Sequence, residues 1–337
     1  MGEVPGHDPR LDGLRAVAAI SVVGFHCGLR AATGGCFGVD VFFVLSGWLI
    51  TGLLAREIER TGAIDIRAFM RRRIRRLMPA LAVVVAASAA LIPGAWPYGL
   101  AAATYTLNVV VGFWPQANVF THTWSLATEF QFYLVWPCVM LMLAKLGRRR
   151  ASMALVVAWL AMTLAREGAR FGGMPWPMAY YLPVFHATGL LLGGAAALSP
   201  WKPRLGLLGM SLVFAMLVAA QTLFVGPPPD LRLTVITWPV MFAEVAAALV
   251  VLDPPRFLAW KPLPQIGVIS YSLYLWHLPV EWFVRDWQPG PRFVFVLAVS
   301  LVLATTSWLI IEQPFMRRLR GDASRGSTSL PAGQPGR

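Results

Sequence analysis

Apolar runs close to 20 residues long recur along this chain, and clusters of arginine separate them. About 20 apolar residues are what an α-helix needs to cross roughly 30 Å of hydrocarbon. A soluble domain would be about 25% charged and about 45–50% apolar. This chain of 337 residues is 13% charged and 57% hydrophobic. The pattern predicts an all-α polytopic membrane protein. The net charge of +13 does not point to nucleic acid. The arginines fall between apolar runs, where the positive-inside rule puts them. Three cysteines with no short pair spacing suggest neither a zinc site nor a disulfide framework. The first apolar run opens with an acid and an arginine and holds a histidine, so it is not read as a cleaved signal peptide.

Taken in order, the runs give about ten transmembrane helices: 11–30, 38–54, one from 79, 124–144, 151–165, 181–198, 205–225, 232–252, 266–284 and 292–311. Placing the basic clusters inside puts the N- and C-termini in the cytoplasm. Residues 1–10 are then a cytoplasmic lead, 11–315 one membrane domain, and 316–337 a basic, disordered tail. Pro79 is expected in the first turn of its helix. Arg166, Glu167 and Arg170 are expected in an outer loop. The stretch 98–123 contains Asn108, Gly112 and Pro115. It is read as an outer-side or re-entrant segment, tolerated where it lines a cavity.

The first run, LDGLRAVAAISVVGFHCGL, carries Asp12, Arg15 and His26. Ionisable groups in a span are costly and face a protein interior or a wet cavity. Arg15 and His26 are eleven residues apart, close to three turns, so they share a face about 16 Å apart. Asp40 starts the second run and is expected beside His26. A carboxylate there fixes the imidazole tautomer and raises its basicity. As a lone residue, Asp40 reads equally well as a helix N-cap. His122, Ser125 and Glu129 gather at the start of the 124–144 run, and Glu129 needs a partner or a proton. Arg73 and Arg76, three apart and flanked by Arg72, suit a phosphate, although lipid contact alone explains such a cluster more often. Tyr274 and His277 share a face, and Glu312 sits just ahead of Pro314. Ser46-Gly47 reads as close helix packing through small residues. His186 reads as a core histidine.

These blocks together resemble a family. LDGLRAVAAISVVGFH, GVDVFFVLSGWLIT, RRRIRRLMPA, WSLATEFQFYLVWP, ISYSLYLWHLP and IEQPF are similar, in content and order, to the acyltransferase 3 family of bacterial membrane O-acyltransferases. The resemblance covers 11 to 315. It implies about ten helices around a catalytic pore, and transfer of an acyl group, acetyl first, from acyl-CoA to a hydroxyl of a carbohydrate or glycoside. The family's arginine, ten residues, histidine pattern falls on Arg15 and His26. Its arginine pair falls on Arg73 and Arg76, and its tryptophan-serine-leucine block with a glutamate on Trp124, Ser125 and Glu129. Phe130 stands where relatives have a second acidic or polar residue, and Thr128 where an aliphatic one is commoner. No SGNH-type domain follows the membrane part, unlike in some relatives.

The resulting expectation is a multi-pass enzyme of the inner (plasma) membrane that binds no metal and no nucleic acid. Arg15, Arg73 and Arg76 hold acyl-CoA. His26 is the base, oriented by Asp40 or Glu129. Trp124, Ser125, Tyr274 and His277 line the substrate path. The acceptor is expected to be cell-surface polysaccharide. The alternatives are a transporter or exporter using the same buried Arg, His and Glu residues as a path, and a sensing or assembly protein without chemistry.

Overall fold

The structure, a computed structural model, describes residues 8–206, 211 and 234–316, with side chains in the last segment from 237. The first seven residues, most of the predicted 205–225 run and the basic tail from 317 lie outside the described residues. Among the described residues every regular element is helical.

Helix α1 (Pro9–His26) starts on Asp8, whose side chain accepts the Arg10 backbone N–H at 2.9 Å, with Pro9 in the first turn. A 3₁₀ turn (Arg30–Phe37) leads into α2 (Gly38–Thr61), which ends on Gly62 at φ 73°. That left-handed terminus favours glycine. Helix α3 (Ile66–Leu91) is capped by Asp65, which accepts from the Ala68 N–H at 2.8 Å. It therefore begins at Ile66 rather than at 79. The arginine cluster is its first half, since arginine is a good helix former. Pro79 sits inside the helix, not in its first turn.

The 98–123 stretch holds two short helices, α4 (Trp96–Ala103) and α5 (Leu107–Phe113), and a 3₁₀ turn at Thr121–Thr123. At 1.5 Å per residue each short helix spans only about 10–12 Å, so neither crosses a bilayer. Helix α6 (Trp124–Ala144) follows, then α7 (Arg148–Phe171). The predicted outer loop at Arg166, Glu167 and Arg170 is instead the last part of α7, and Arg166 is 1% exposed. The expected helix at 181–198 is broken into α8 (Trp176–Tyr181), α9 (Pro183–His186) and α10 (Thr188–Leu198). Pro183 forces Leu182 into extended backbone, which ends one helix before the next. Helix α11 (Thr234–Leu252) precedes a second break. The expected 266–284 span is α12 (Pro262–Val268) and α13 (Ser270–Trp282), parted at Ile269. Helix α14 (Pro289–Ser307) continues through one π turn, Trp308–Glu312.

Among the described residues five helical stretches are long and apolar enough to cross a membrane: Arg30–Thr61, Ile66–Leu91, Thr121–Ala144, Arg148–Phe171 and Pro289–Met316. Two shorter apolar helices, Thr188–Leu198 and Thr237–Leu252, accompany them. The ten runs of the sequence are thus not ten unbroken helices.

Helices α2 and α10 pack backbone against backbone. A Cβ on Gly47 would lie 2.1 Å from the Leu190 carbonyl oxygen, and one on Gly193 would lie 2.0 Å from that of Val44. The two backbones meet through reciprocal glycines, as small residues allow between membrane helices. This fixes the middle of α2, and with it Asp40 above and Ser46 within.

Candidate active site

The site is built where α1, α6 and α13 meet. His26 ends α1, and two more histidines reach it: His122 from the turn before α6 and His277 from α13. His26 Nδ1 lies 3.2 Å from His277 Nε2 and 3.0 Å from the Val22 carbonyl oxygen. The His122 and His277 rings are 4.9 Å apart. Hydrogen-bond direction fixes the tautomers. His277 Nδ1 faces the Tyr274 carbonyl at 2.6 Å, and a carbonyl only accepts. His277 therefore carries its proton on Nδ1 and presents a lone pair on Nε2. His26 Nδ1 faces two acceptors and carries the proton. Its Nε2 lone pair is left free of any partner among the described residues, which is the condition of a base. His277 and His122 are buried; His26 is half-buried.

The expected carboxylate partner of His26 is absent from this group. Asp40 Oδ1 lies 2.9 Å from His186 Nε2, and His186 Nδ1 faces the Tyr180 carbonyl at 2.7 Å. Asp40 does open α2, but the start of that helix points across to α9 rather than back to the end of α1. It is not the N-cap either; Phe37 holds that position without a side-chain bond. Glu129 is also elsewhere: its Oε1 accepts the hydroxyls of Ser46 and Tyr133. What orients His26 is a neutral imidazole and a carbonyl, not a carboxylate.

Glu129 belongs to a cavity, open to the surroundings, on the other side of Tyr274. Arg15, Arg73, Arg76, Ser46, Glu129, Tyr133 and Ser270 give it polar walls, and Phe42, Phe43 and Leu77 are among its apolar ones. Arg15 Nε donates to Ser270 Oγ at 3.3 Å. The Arg73 guanidinium lies 5.6 Å from the Phe69 ring centre and 5.8 Å from that of Tyr133, held by the ring faces. Its Nε has no partner among the described residues. The cavity thus gathers the three predicted anion-binding arginines on α1 and α3 and sets one carboxylate among them.

Ser125 and Tyr274 join the two halves. Both line the cavity. Their hydroxyls are 2.8 Å apart, and Tyr274 donates to the His122 carbonyl at 2.7 Å. Trp124 does not line the cavity. It packs against Phe43, Tyr180, Tyr181 and His186. Glu312, left without a role in the sequence reading, is buried and accepts from Ser272 at 2.5 Å. The π turn that rotates it inward is a frequent mark of functional sites, and no sequence signal announces it.

A family model described as an acyltransferase domain (acyltransferase 3) matches residues 8–312. The chain belongs to the acyltransferase 3 family. It is 28% identical to the peptidoglycan O-acetyltransferase OatA of Listeria monocytogenes, over 92% of this chain and 56% of that protein. It is 31% identical to the O-acetyltransferase OatA of Staphylococcus aureus, over 93% of this chain and 58% of that protein. The chain thus spans little more than half the length of these curated relatives. No solved structure matches it. Membership in an acyltransferase family favours the transferase reading over the transporter and sensor alternatives. Within the family frame, the two unusual residues beside Glu129 have local partners here. Phe130 stacks on Tyr105 at 4.1 Å, and Thr128 accepts from Asn108 at 3.3 Å.

Proposed function

We propose that this domain is a plasma-membrane O-acetyltransferase. It takes an acetyl group from acetyl-CoA at its arginine end and delivers it to a hydroxyl of a cell-wall polysaccharide at its histidine end. The observation that carries the reading is the hydrogen-bond direction around His26, which leaves Nε2 as a lone pair beyond an arginine-lined cavity. The names of the relatives support acetyl as the group and a peptidoglycan-like glycan as the acceptor.

The arginines supply the donor site. Guanidinium forks match phosphate oxygens, and Arg73, Arg76 and Arg15 stand together at one end of the cavity. Glu129 offsets part of their charge and, through Ser46, ties α2 to α6. The pantetheine arm runs from the arginines toward Ser125 and Tyr274. His26 Nε2 takes the proton of the acceptor hydroxyl as its oxygen attacks the thioester carbonyl. The tetrahedral adduct collapses, the C–S bond breaks, and the imidazolium returns the proton to the CoA thiolate. His277 holds the His26 ring in register throughout. Asp40, with its partner His186, is a structural residue in this scheme.

The test is acetyl transfer from labelled acetyl-CoA in proteoliposomes. His26→Ala is expected to lose at least 10²–10⁴-fold, the usual range for a general base, while still inserting and still binding the donor. Retained transfer would sink the role of His26. The arginine site is tested separately by donor affinity.

A further inference from the structure

The face of α2 that lines the cavity runs on beyond it. Phe42, Ser46 and Leu49 line the cavity, and Leu53, Arg56 and Arg60 line a second, open pocket at the end of the same helix. These six positions advance by three or four residues at a time, which keeps them on one face of the helix. At 1.5 Å per residue the stripe is about 27 Å long, and only its last turn is basic. Helix α3 gives the other wall in the same order: Leu77, Arg76 and Arg73 line the cavity, and Arg72 lines the pocket. The two sites are consecutive along the α2–α3 pair.

The pocket gathers three guanidinium groups and one carboxylate, Glu57. That carboxylate is largely committed elsewhere. Its Oε1 accepts the Asp65 backbone N–H at 2.9 Å, which closes the turn into α3, and its Oε2 lies 3.9 Å from Arg72. Arg56 and Arg60 have no ion-pair partner among the described residues. They are four residues apart on α2, as Arg72 and Arg76 are on α3. A like-charge pair at that spacing destabilises a helix, and an anion lying between the helices relieves both pairs. Arg148, which also reaches the end of α2, needs no such ligand: it pairs with Glu59 at 2.7 Å and donates to the Ala197 carbonyl at 3.1 Å. Membrane topology and lipid contact explain single exposed arginines. Neither requires three of them to converge on one concavity that continues the cavity.

That continuity narrows the ligand. Guanidinium forks match phosphate oxygens. Arg72 stands one turn, about 6 Å along the helix, from Arg76. A donor whose diphosphate lies at Arg73 and Arg76 reaches the pocket only if it carries a further phosphate about one sugar away. Coenzyme A does: its ribose bears a 3′-phosphate beside the 5′-diphosphate. Acetyl phosphate and a carrier-protein thioester have no such group.

We propose that Arg56, Arg60 and Arg72 form a second phosphate site, which binds the ribose 3′-phosphate of coenzyme A and so selects this donor. The identity of the nucleotide rests on the acetyl-transfer reading; the affinity of the pocket for a ribose 3′-phosphate is tested without it. The full chain in proteoliposomes is given acetyl-CoA or acetyl-3′-dephospho-CoA at constant salt. Wild type is expected to show a KM about tenfold lower for acetyl-CoA, the weight of a charge-assisted contact. The double variant Arg56→Gln/Arg60→Gln is expected to raise the KM for acetyl-CoA by about that factor and to leave the dephospho donor where it was. Arg149→Gln removes an exposed arginine outside the pocket and is expected to keep the preference. Equal KM values for the two donors in wild type overturn the site, as does a preference that survives in the double variant. A lipid phosphate in the pocket gives a different pattern, which also overturns it: the donors are used alike, and the double variant alters only the response to phosphatidylglycerol content. If wild type consumes neither donor, the transfer reading ends and calorimetry decides the pocket. Adenosine 3′,5′-bisphosphate that binds wild type more tightly than adenosine 5′-phosphate, and loses that advantage in the double variant, keeps the phosphate site; two nucleotides that bind alike end it.

Discussion

Replacing His277 by Ala should slow transfer without weakening donor binding, because His277 touches His26 and not the cavity. The expected loss in kcat is about 10–100-fold, the usual cost of removing a group that orients a functional ligand or base. His277→Gln, whose side-chain oxygen also accepts from His26 Nδ1, should recover part of it. A purely structural role would lower stability in both variants and show no such recovery. At the other end, Arg76→Lys keeps the charge and loses the planar fork. It should raise the donor KM by about tenfold and leave the acceptor KM alone. At this scale the sequence was partly legible. Arg15, His26, Glu129 and His277 each put a polar group in an apolar run, and Arg73 and Arg76 stand in the basic cluster between two runs. The pairings were not legible. Asp40 is two residues into α2 and near the end of α1 in sequence, so His26 looked like its partner. Its actual partner is 146 residues away, in a segment whose helix breaks could not be placed.

Helix α2 is the element on which both halves of the site depend. Its glycine contact with α10 leaves no room for a side chain. Gly193→Val should cost about 1–3 kcal/mol or more by overpacking, read as a lower melting temperature in detergent, because the atom it would strike is backbone and cannot step aside. The Asp40–His186 pair ties the start of the same helix to α9. Asp40→Ala leaves His186 facing an empty, buried position and should cost about 3–5 kcal/mol. Replacing both by apolar residues of similar volume should recover much of that, and a double-mutant cycle on melting in detergent measures it. If the single and double variants are equally destabilised, the pair does not lock the helix. Helix identity was readable from run length, but the caps Asp8 and Asp65 that set the true starts were not read. Helix continuity was not readable. Pro79 sits within α3, while Pro183 ends α8, and only the packing around each decides which outcome a proline has.

The molecule as a whole has two chemically different ends, arginines at one and histidines at the other. The positive-inside reading assigns the arginine end to the cytoplasm. Cysteines placed singly at Thr61 and Phe171, in a background without Cys27, Cys36 and Cys138, test that assignment. Phe171→Cys should react with an impermeant maleimide in intact cells, and Thr61→Cys only after permeabilisation. The opposite pattern would reverse the direction of transfer. The all-helical class followed from composition and run length, because hydrocarbon imposes a helix on an apolar run that crosses it. Three features escaped: the interruption in the 181–198 run, the one in the 266–284 run, and the π turn at Glu312. All three depend on contacts between segments far apart in sequence.

Between the two ends stands the contact of Ser125 with Tyr274, two hydroxyls 2.8 Å apart with the tyrosine proton held by a backbone carbonyl. On the proposed reading this contact also has an energetic duty unrelated to acetylation. A membrane that stores a proton gradient tolerates no continuous water file, and three histidines beside an open cavity would make a good one. On that reading, a domain that hands a two-carbon group from one compartment to the other must therefore be a valve that opens for an acyl arm and stays shut to hydronium. Enlarging the gap at Tyr274 would convert a transferase into an uncoupler, and the growth defect of such a cell would follow its membrane potential rather than its wall chemistry.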